Sequence, residues 1–236
     1  MPELPVGLFE EEMRYRLYSI TYDAAHAATF ERYDNSHIKT PEQKSYLFEY
    51  NPIVDIVRNH AIEEEYLGIF SYKFALKCGT AAMPMTRARL EHLLRCHPGF
   101  DAYGLSPMHS PEIFGFDHAE KSHPGFSEIF FPICRELGLS ESQPEFMVNS
   151  NFFVAKTEIY KEYVFSIVEP AIALLDGKYR ELAWRKCRYD AGYSSIFEFT
   201  GIPHYTFHTF VLERLAGQYI STRGIRFKQL NSNIWF

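Results

Sequence analysis

The chain of 236 residues is 46% hydrophobic and 23% charged, with a formal net charge of −6. That balance excludes disorder as the main state, and the length allows roughly 70% of the extended chain's surface to be buried without disulfide or metal support. An acidic chain disfavours an extended nucleic-acid groove, which needs many phosphate-neutralising cations, but it is compatible with one nucleotide and its two phosphates.

Arg14 to Asp23 alternates two faces of β-branched and aromatic residues and predicts a strand. Thr40-Pro41-Glu42-Gln43 combines a cap, a proline at the first helical position and a glutamine placed to close a capping box. The helix it opens carries Tyr46, Leu47, Tyr50, Ile53, Val54 and Val57, and Pro52 is expected to divide it in two. Tyr66 to Leu76 is a continuous apolar run, as in a central strand buried on both faces. Thr86 caps a helix with Leu90, Leu93 and Leu94, and Phe100 to Leu105 reads as a short strand. Phe146 to Ala155 predicts a further strand. Thr157 then opens a long helix, kinked at Pro170 and capped at Gly177, and a last helix spans about Thr206 to Ser221. Strands alternating with helices predict an α/β layered fold with a mostly parallel sheet.

Aromatic residues reach 17%, with 21 Phe and 16 Tyr against 2 Trp. They supply flat faces and hydroxyl tips for a core or for sugar and nucleobase contacts. Cysteines 78, 96, 134 and 187 lack metal-type spacing and read as reduced thiols, which predicts a cytoplasmic protein. The N-terminal residues do not have the pattern of a signal peptide, and no apolar run approaches the roughly 18 residues of a spanning helix, so no transmembrane segment is expected.

No glycine-rich phosphate loop, HExxH, GxSxG or CxxC is present. Asp101-Ala102-Tyr103 is read as the end of a strand, the place where open α/β sheets bind ligands. There Asp101 either caps a turn or holds a hard cation beside a diphosphate. Lys73 and Lys77 can neutralise a diphosphate leaving group or are surface lysines. Asn149-Ser150-Asn151 interrupts an apolar strand, either as amides matched to sugar hydroxyls or as a hydrogen-bonded bend. His204 and His208, four apart, share a helix face that can bind a metal or pack. Glu213, beside Arg214, either aims a carboxylate at a cleft or forms a buried pair.

The order of these segments resembles bacterial glycosyltransferase-like proteins of capsular and surface polysaccharide synthesis with a GT-A type fold. Tyr66 to Lys73 is similar to that group's Y-x-G-x-x-H-Y-R strand, with Gly68 and Tyr72 matching, Lys73 in place of arginine and Ser71 in place of histidine. Asp101-Ala102-Tyr103 falls at the Asp-x-Asp position, with Tyr103 replacing the second aspartate. Asn151-Phe152-Phe153-Val154 resembles the N-x-F strand, and Phe210 to Leu215 the terminal helix motif ending in Glu-Arg-Leu.

The resemblance covers residues 14–222 of one 236-residue domain. It implies a Rossmann-like, GT-A-like sheet flanked by helices and a cytoplasmic enzyme, in some settings peripheral to the inner face of the membrane. The enzyme would transfer a sugar from a nucleoside-diphosphate sugar to a saccharide or other hydroxyl acceptor. Thr21, Tyr22, Asp23, Tyr72, Lys73, Lys77, Asp101, Tyr103, Asn149 and Asn151 would bind the donor. Asp101 and His208 would hold Mn²⁺ or Mg²⁺, and Glu213 or Asp117 would act as the base. With Tyr103 in the motif, the alternative is that it contacts the donor while Lys73 or Lys77 neutralises the diphosphate. Two rival readings are a metal-dependent hydrolase built on Asp101, His118, His123 and His208, and a noncatalytic carbohydrate-binding domain derived from a transferase.

Overall fold

A computed structural model describes residues 13–79, 84–105, 110–148, 150–188 and 196–230. Its six strands are β1 (Tyr15–Thr21), β2 (Glu31–Asp34), β3 (Tyr66–Ser71), β4 (Ala102–Gly104), β5 (Phe153–Lys156) and β6 (Phe227–Gln229), in the spatial order β2-β1-β3-β5-β4-β6. β5 runs antiparallel to both its neighbours, and the remaining pairs are parallel. Five strands therefore end at one edge of the sheet, and β5 enters from that same edge.

The helices are α1 (Tyr50–Asn59), α2 (Phe74–Lys77), α3 (Arg87–Arg95), α4 (Pro111–Phe114), α5 (Phe116–Ser122), α6 (Phe126–Glu136), α7 (Thr157–Tyr163), α8 (Glu169–Asp176), α9 (Arg180–Ala183), α10 (Ile196–Thr200) and α11 (Phe207–Thr222). Because successive strand residues point to opposite faces, the sheet feeds two cores. Tyr18, Ile20, Leu67, Ile69, Ala102, Phe153 and Ala155 join the larger one, under α1, α6, α7, α8 and α11. Tyr15, Leu17, Tyr66, Phe70, Tyr103 and Val154 join a smaller one with Phe74, Leu90, Leu93 and Leu94. β3 is buried along its whole length, as its apolar run predicted, but it ends at Ser71 rather than Leu76, and Phe74–Lys77 turns into α2.

Several predicted elements change form. The first helical region breaks at Lys44 (φ 59°) and Phe48 (φ 48°) rather than at Pro52. Pro52 falls in the first turn of α1, where its missing N–H costs little. The Thr40 motif opens only a short 3₁₀ turn, Pro41–Gln43, although Gln43 Oε1 does accept from the Thr40 N–H at 3.2 Å. Thr86 caps α3 as expected, accepting from the Arg89 N–H at 3.2 Å. A π-helical turn, Val164–Val168, precedes α8 and absorbs Pro170 at the start of that helix. Gly177 caps α8 as expected, at φ −108°, its N–H donating to the Ala173 carbonyl.

Asp101 precedes β4 instead of ending a strand, so it lies at the sheet edge opposite the one where the parallel strands end. There it is a staple. Its carboxylate accepts two bonds from Arg226, at 2.8 and 2.9 Å, and pairs with Lys156 at 3.1 Å, while its N–H donates to the Arg226 carbonyl at 2.8 Å. The Arg226 hydrogen bonds, assisted by Lys156, hold the Asp101 pKa down at about 2. Tyr103 belongs to the smaller core and donates to the His97 carbonyl at 2.8 Å, so it is no surface contact for a ligand.

A carboxylate with a depressed folded-state pKa stabilises the fold above its ordinary value and loses that contribution as pH falls through the folded pKa. Asp101, with 17% of its side chain exposed, should contribute about 1–2 kcal/mol at neutral pH. Denaturation of Asp101→Asn should accordingly show that loss at pH 7, with the two proteins converging as pH falls from about 4 to 2.

Candidate functional site

The edge where the parallel strands end carries a cavity of about 150 Å³. Strand ends supply Tyr22 after β1, Asn35 after β2, Ser71 as the last residue of β3 and Tyr72 and Lys73 after it, with Lys77 following on α2. Ser150 and Asn151 line it from the approach to β5. Phe48, Glu49 and Tyr50 enter from the start of α1, and Phe199 and Tyr205 add aromatic wall. On α11, Thr209, Phe210 and Glu213 share one helix face and point into the cavity.

Hydrogen bonds hold these walls together. Ser45 Oγ donates to the Thr200 carbonyl at 2.6 Å, and Thr209 Oγ1 to the Tyr46 carbonyl at 3.2 Å. The Tyr22 N–H donates to His26 Nδ1 at 3.2 Å, and the His26 ring stacks on Tyr72 with centroids 3.7 Å apart. Ser150 (φ 57°) and Asn151 (φ 54°) are both left-handed, a conformation that costs non-glycine residues about 1–2 kcal/mol each. Asn151 Nδ2 steadies them by donating to the Ile69 carbonyl at 3.1 Å and to Tyr160 Oη at 2.7 Å. Asn151 Oδ1, Tyr22 Oη and Tyr50 Oη are buried without a hydrogen-bond partner among the described residues. Three orphaned polar atoms on residues of one cavity match a hydroxyl-bearing ligand better than an apolar one.

Burial dominates the electrostatics of the two carboxyls that line the cavity. Burial pushes the Glu49 carboxyl above the ordinary range, against the pull of its own N–H, Lys77, Lys73 and the Tyr22 hydroxyl. Burial also raises Glu213, opposed by Arg214 and Lys77 and reinforced by the charge of Glu49. Glu213 keeps 25% of its side chain exposed. Arg214 lies under it, buried, with Nη1 3.9 Å from Glu213 Oε2 and 2.8 Å from the Phe210 carbonyl.

Of the residues singled out in the sequence, Tyr22, Tyr72, Lys73, Lys77, Asn151 and Glu213 meet in the cavity. Thr21 lies beneath it, fully buried, and Asp23 is exposed, its Oδ1 accepting from the Ala25 N–H at 2.8 Å. Asn149 is outside the described residues. Asp117 is exposed on α5 and does not line the cavity. Sequence reasoning passed over Glu49, a single glutamate in no motif. The one local signal is the apolar stripe on either side of it, which marks Glu49 as a charge in a buried neighbourhood.

The proposed cation ligands do not fit a divalent ion. Asp101 is occupied by Arg226 and Lys156 at the far edge. His208 is fully buried, with Nδ1 3.0 Å from Thr206 Oγ1 and Nε2 3.2 Å from Asp176 Oδ1. Tyr46 Oη also donates to Asp176, at 2.8 and 2.9 Å. His204 contacts the Trp184 carbonyl, while His123 stacks on Phe210 and His118 meets the edge of Phe114. Among the described residues, no three His, Cys, Asp or Glu side chains gather as a metal site, and the four residues of the hydrolase reading are dispersed.

A carboxyl whose folded-state pKa is raised costs stability above its ordinary value. Glu49→Gln should therefore unfold at higher temperature than the parent at pH 7–8, by roughly 0.5–2 kcal/mol, with the gain shrinking as pH falls toward about 4.

No family model and no curated protein matches the sequence. Among solved structures, the fold is similar to the apo structure of the bifunctional glycosyltransferase WbbM, with a TM-score of 0.58 at 14% identity. The match covers 92% of this chain and 45% of that one, so the chain spans less than half the length of that protein. No helix among the described residues is long and apolar enough to cross a membrane. The chain has a glycosyltransferase-like fold.

Proposed function

We infer that the chain is a nucleotide-sugar-dependent glycosyltransferase of GT-A type, acting as one catalytic unit in the cytoplasm on a saccharide or other hydroxyl acceptor in glycoconjugate synthesis. The observation that carries the reading is the meeting of two carboxylates and two lysines in one cavity at the ligand-binding edge of this fold. The fold likeness supports it by analogy.

In an inverting displacement, Glu213 takes the proton of the acceptor hydroxyl as its oxygen bonds the anomeric carbon. The bond from that carbon to the diphosphate oxygen breaks, and the electron pair leaves with the diphosphate. The transition state is oxocarbenium-like, as in glycoside hydrolysis. Lys73 and Lys77 are placed to neutralise the departing charge, and Tyr22 and Tyr72 offer flat faces to the base or sugar. No step runs through a metal, because the candidate ligands are committed elsewhere.

Thermal unfolding with uridine, guanosine, cytidine and deoxythymidine diphosphates, each with EDTA and with Mn²⁺, tests the reading. A ligand at about 100 times its Kd adds about 2.7 kcal/mol, a rise of several degrees for a chain of this size. One nucleotide family should stabilise the protein in both arms, and Lys73→Ala and Lys77→Ala should each weaken it about tenfold. Stabilisation by simple sugars with silence from every nucleotide would identify a carbohydrate-binding domain instead.

A further inference from the structure

We propose that Tyr50 and Asn151 form a subsite for one sugar hydroxyl in the cavity, and that this hydroxyl decides which sugar the chain accepts. That the sugar arrives on a nucleoside diphosphate rests on the transferase reading, whereas the hydroxyl subsite rests on the cavity alone.

Asn151 lines the cavity and is 2% exposed. Its amide has one possible orientation. The Ile69 carbonyl only accepts, so the group 3.1 Å from it is the NH₂. The same NH₂ reaches Tyr160 Oη at 2.7 Å. What remains for a ligand is Oδ1, an acceptor with no donor among the described residues. The backbone that presents it is left-handed at φ 54°, strain of the kind found at functional sites. Tyr50, the first residue of α1, lines the same cavity and is also 2% exposed. Its hydroxyl is the one polar atom of the side chain, and it too lacks a partner among the described residues. Tyr160, which Asn151 bonds, is an electrostatic neighbour of that hydroxyl. The third orphaned atom, Tyr22 Oη, has the Glu49 carboxyl as its neighbour and is left out of the subsite.

The two groups select their ligand by hydrogen-bond chemistry. A diphosphate oxygen only accepts, so it leaves Asn151 Oδ1 unsatisfied, and the carboxyls of Glu49 and Glu213 on the same cavity oppose its charge. A methyl or methylene group leaves both atoms unpaired. An alcohol satisfies both at once, donating its proton to Asn151 Oδ1 and accepting the proton of Tyr50 Oη. Such bonds are often open in an empty cleft and close as the ligand seats. A site built this way rejects an analogue without the hydroxyl, because the analogue strands buried polar groups. Lys73 and Lys77 remain the cavity's groups for the diphosphate, so recognition of the sugar and neutralisation of the leaving group fall to different residues.

Tyr50→Phe removes the hydroxyl and little else. Without ligand, its thermal midpoint should equal the parent's or rise by about 1–3 °C, since no bond is lost and a buried polar group is removed. A fall of that size would show a hydroxyl bonded within the fold and overturn its part in the subsite. Calorimetric titration of the full chain then compares bare uridine and guanosine diphosphates with uridine diphosphate glucose, uridine diphosphate galactose and guanosine diphosphate mannose. One of these sugars should bind more tightly than its bare diphosphate. Tyr50→Phe should weaken that sugar about tenfold and leave the bare diphosphate unchanged. Forms of the sugar with one hydroxyl at a time replaced by fluorine, which cannot donate, should lose a similar factor at one position only. The fluorinated forms decide the matter if Tyr50→Phe does not fold. A sugar that adds nothing to its diphosphate, an equal loss for both in Tyr50→Phe, or binding that no fluorine weakens overturns the subsite. If no nucleoside diphosphate binds, the transferase reading fails and free glucose, galactose and mannose become the probes. One of them should then bind the parent and lose the same factor in Tyr50→Phe, and silence from all three overturns the subsite as well.

Discussion

The reversed direction of β5 is the constraint on which the site depends. A strand running against both neighbours must enter the sheet from the edge where those neighbours leave it, and two left-handed residues, Ser150 and Asn151, make that entry. The Asn151 amide spans β3 and α7, bonding the Ile69 carbonyl and Tyr160 Oη. Phe153 then stacks on Tyr160 at 4.8 Å. Net hydrogen bonds of about 1 kcal/mol each and the stacked ring pair offset the backbone cost. Through this turn the approach to β5 becomes a wall of the cavity opposite the start of α1.

The two edges of the sheet handle charge in opposite ways. At the far edge, Asp101, Lys156 and Arg226 satisfy one another in a closed triad, and the carboxyl is driven toward its charged form. At the cavity edge, Glu49 and Glu213 are raised by burial, Lys73 and Lys77 offset this only in part, and three neighbouring polar atoms lack partners. Compensated charge is what a structural staple requires. Charge that burial leaves only partly compensated is more open to a ligand that supplies further partners. The Asp176, His208, Thr206 and Tyr46 network resembles the far edge in this respect. Its bonds are closed, and it braces α8 and α11 beside the cavity.

Much of the framework is legible in the sequence. The alternation of Arg14 to Asp23 and the apolar run from Tyr66 locate β1 and β3, and the Thr86 cap locates α3. β2 and β6 are short, mostly polar strands at the sheet edges, Glu31–Asp34 and Phe227–Gln229. Their backbone pairing forms them, and side-chain periodicity gives no sign of it. The long run read as one strand before Thr157 shortens to β5, because the left-handed pair at Ser150 and Asn151 ends the extended backbone. Asp101 shows how much one boundary carries. Starting β4 one residue after it, rather than ending a strand on it, moves the carboxylate across the whole width of the sheet.

The sequence by itself determined the α/β class, the alternation of elements, and the presence of Tyr22, Lys73 and Lys77 near strand ends, since these follow from local periodicity and turn chemistry. Only the tertiary structure decided where the carboxylates lie. Asp101 was withdrawn into an ion pair with Arg226, Asp117 was left on an outer helix, and Glu49 was brought to the same cavity as Glu213. Desolvation and Coulomb coupling act between groups that the chain separates by most of its length, and no local pattern records which of them the fold will bring together.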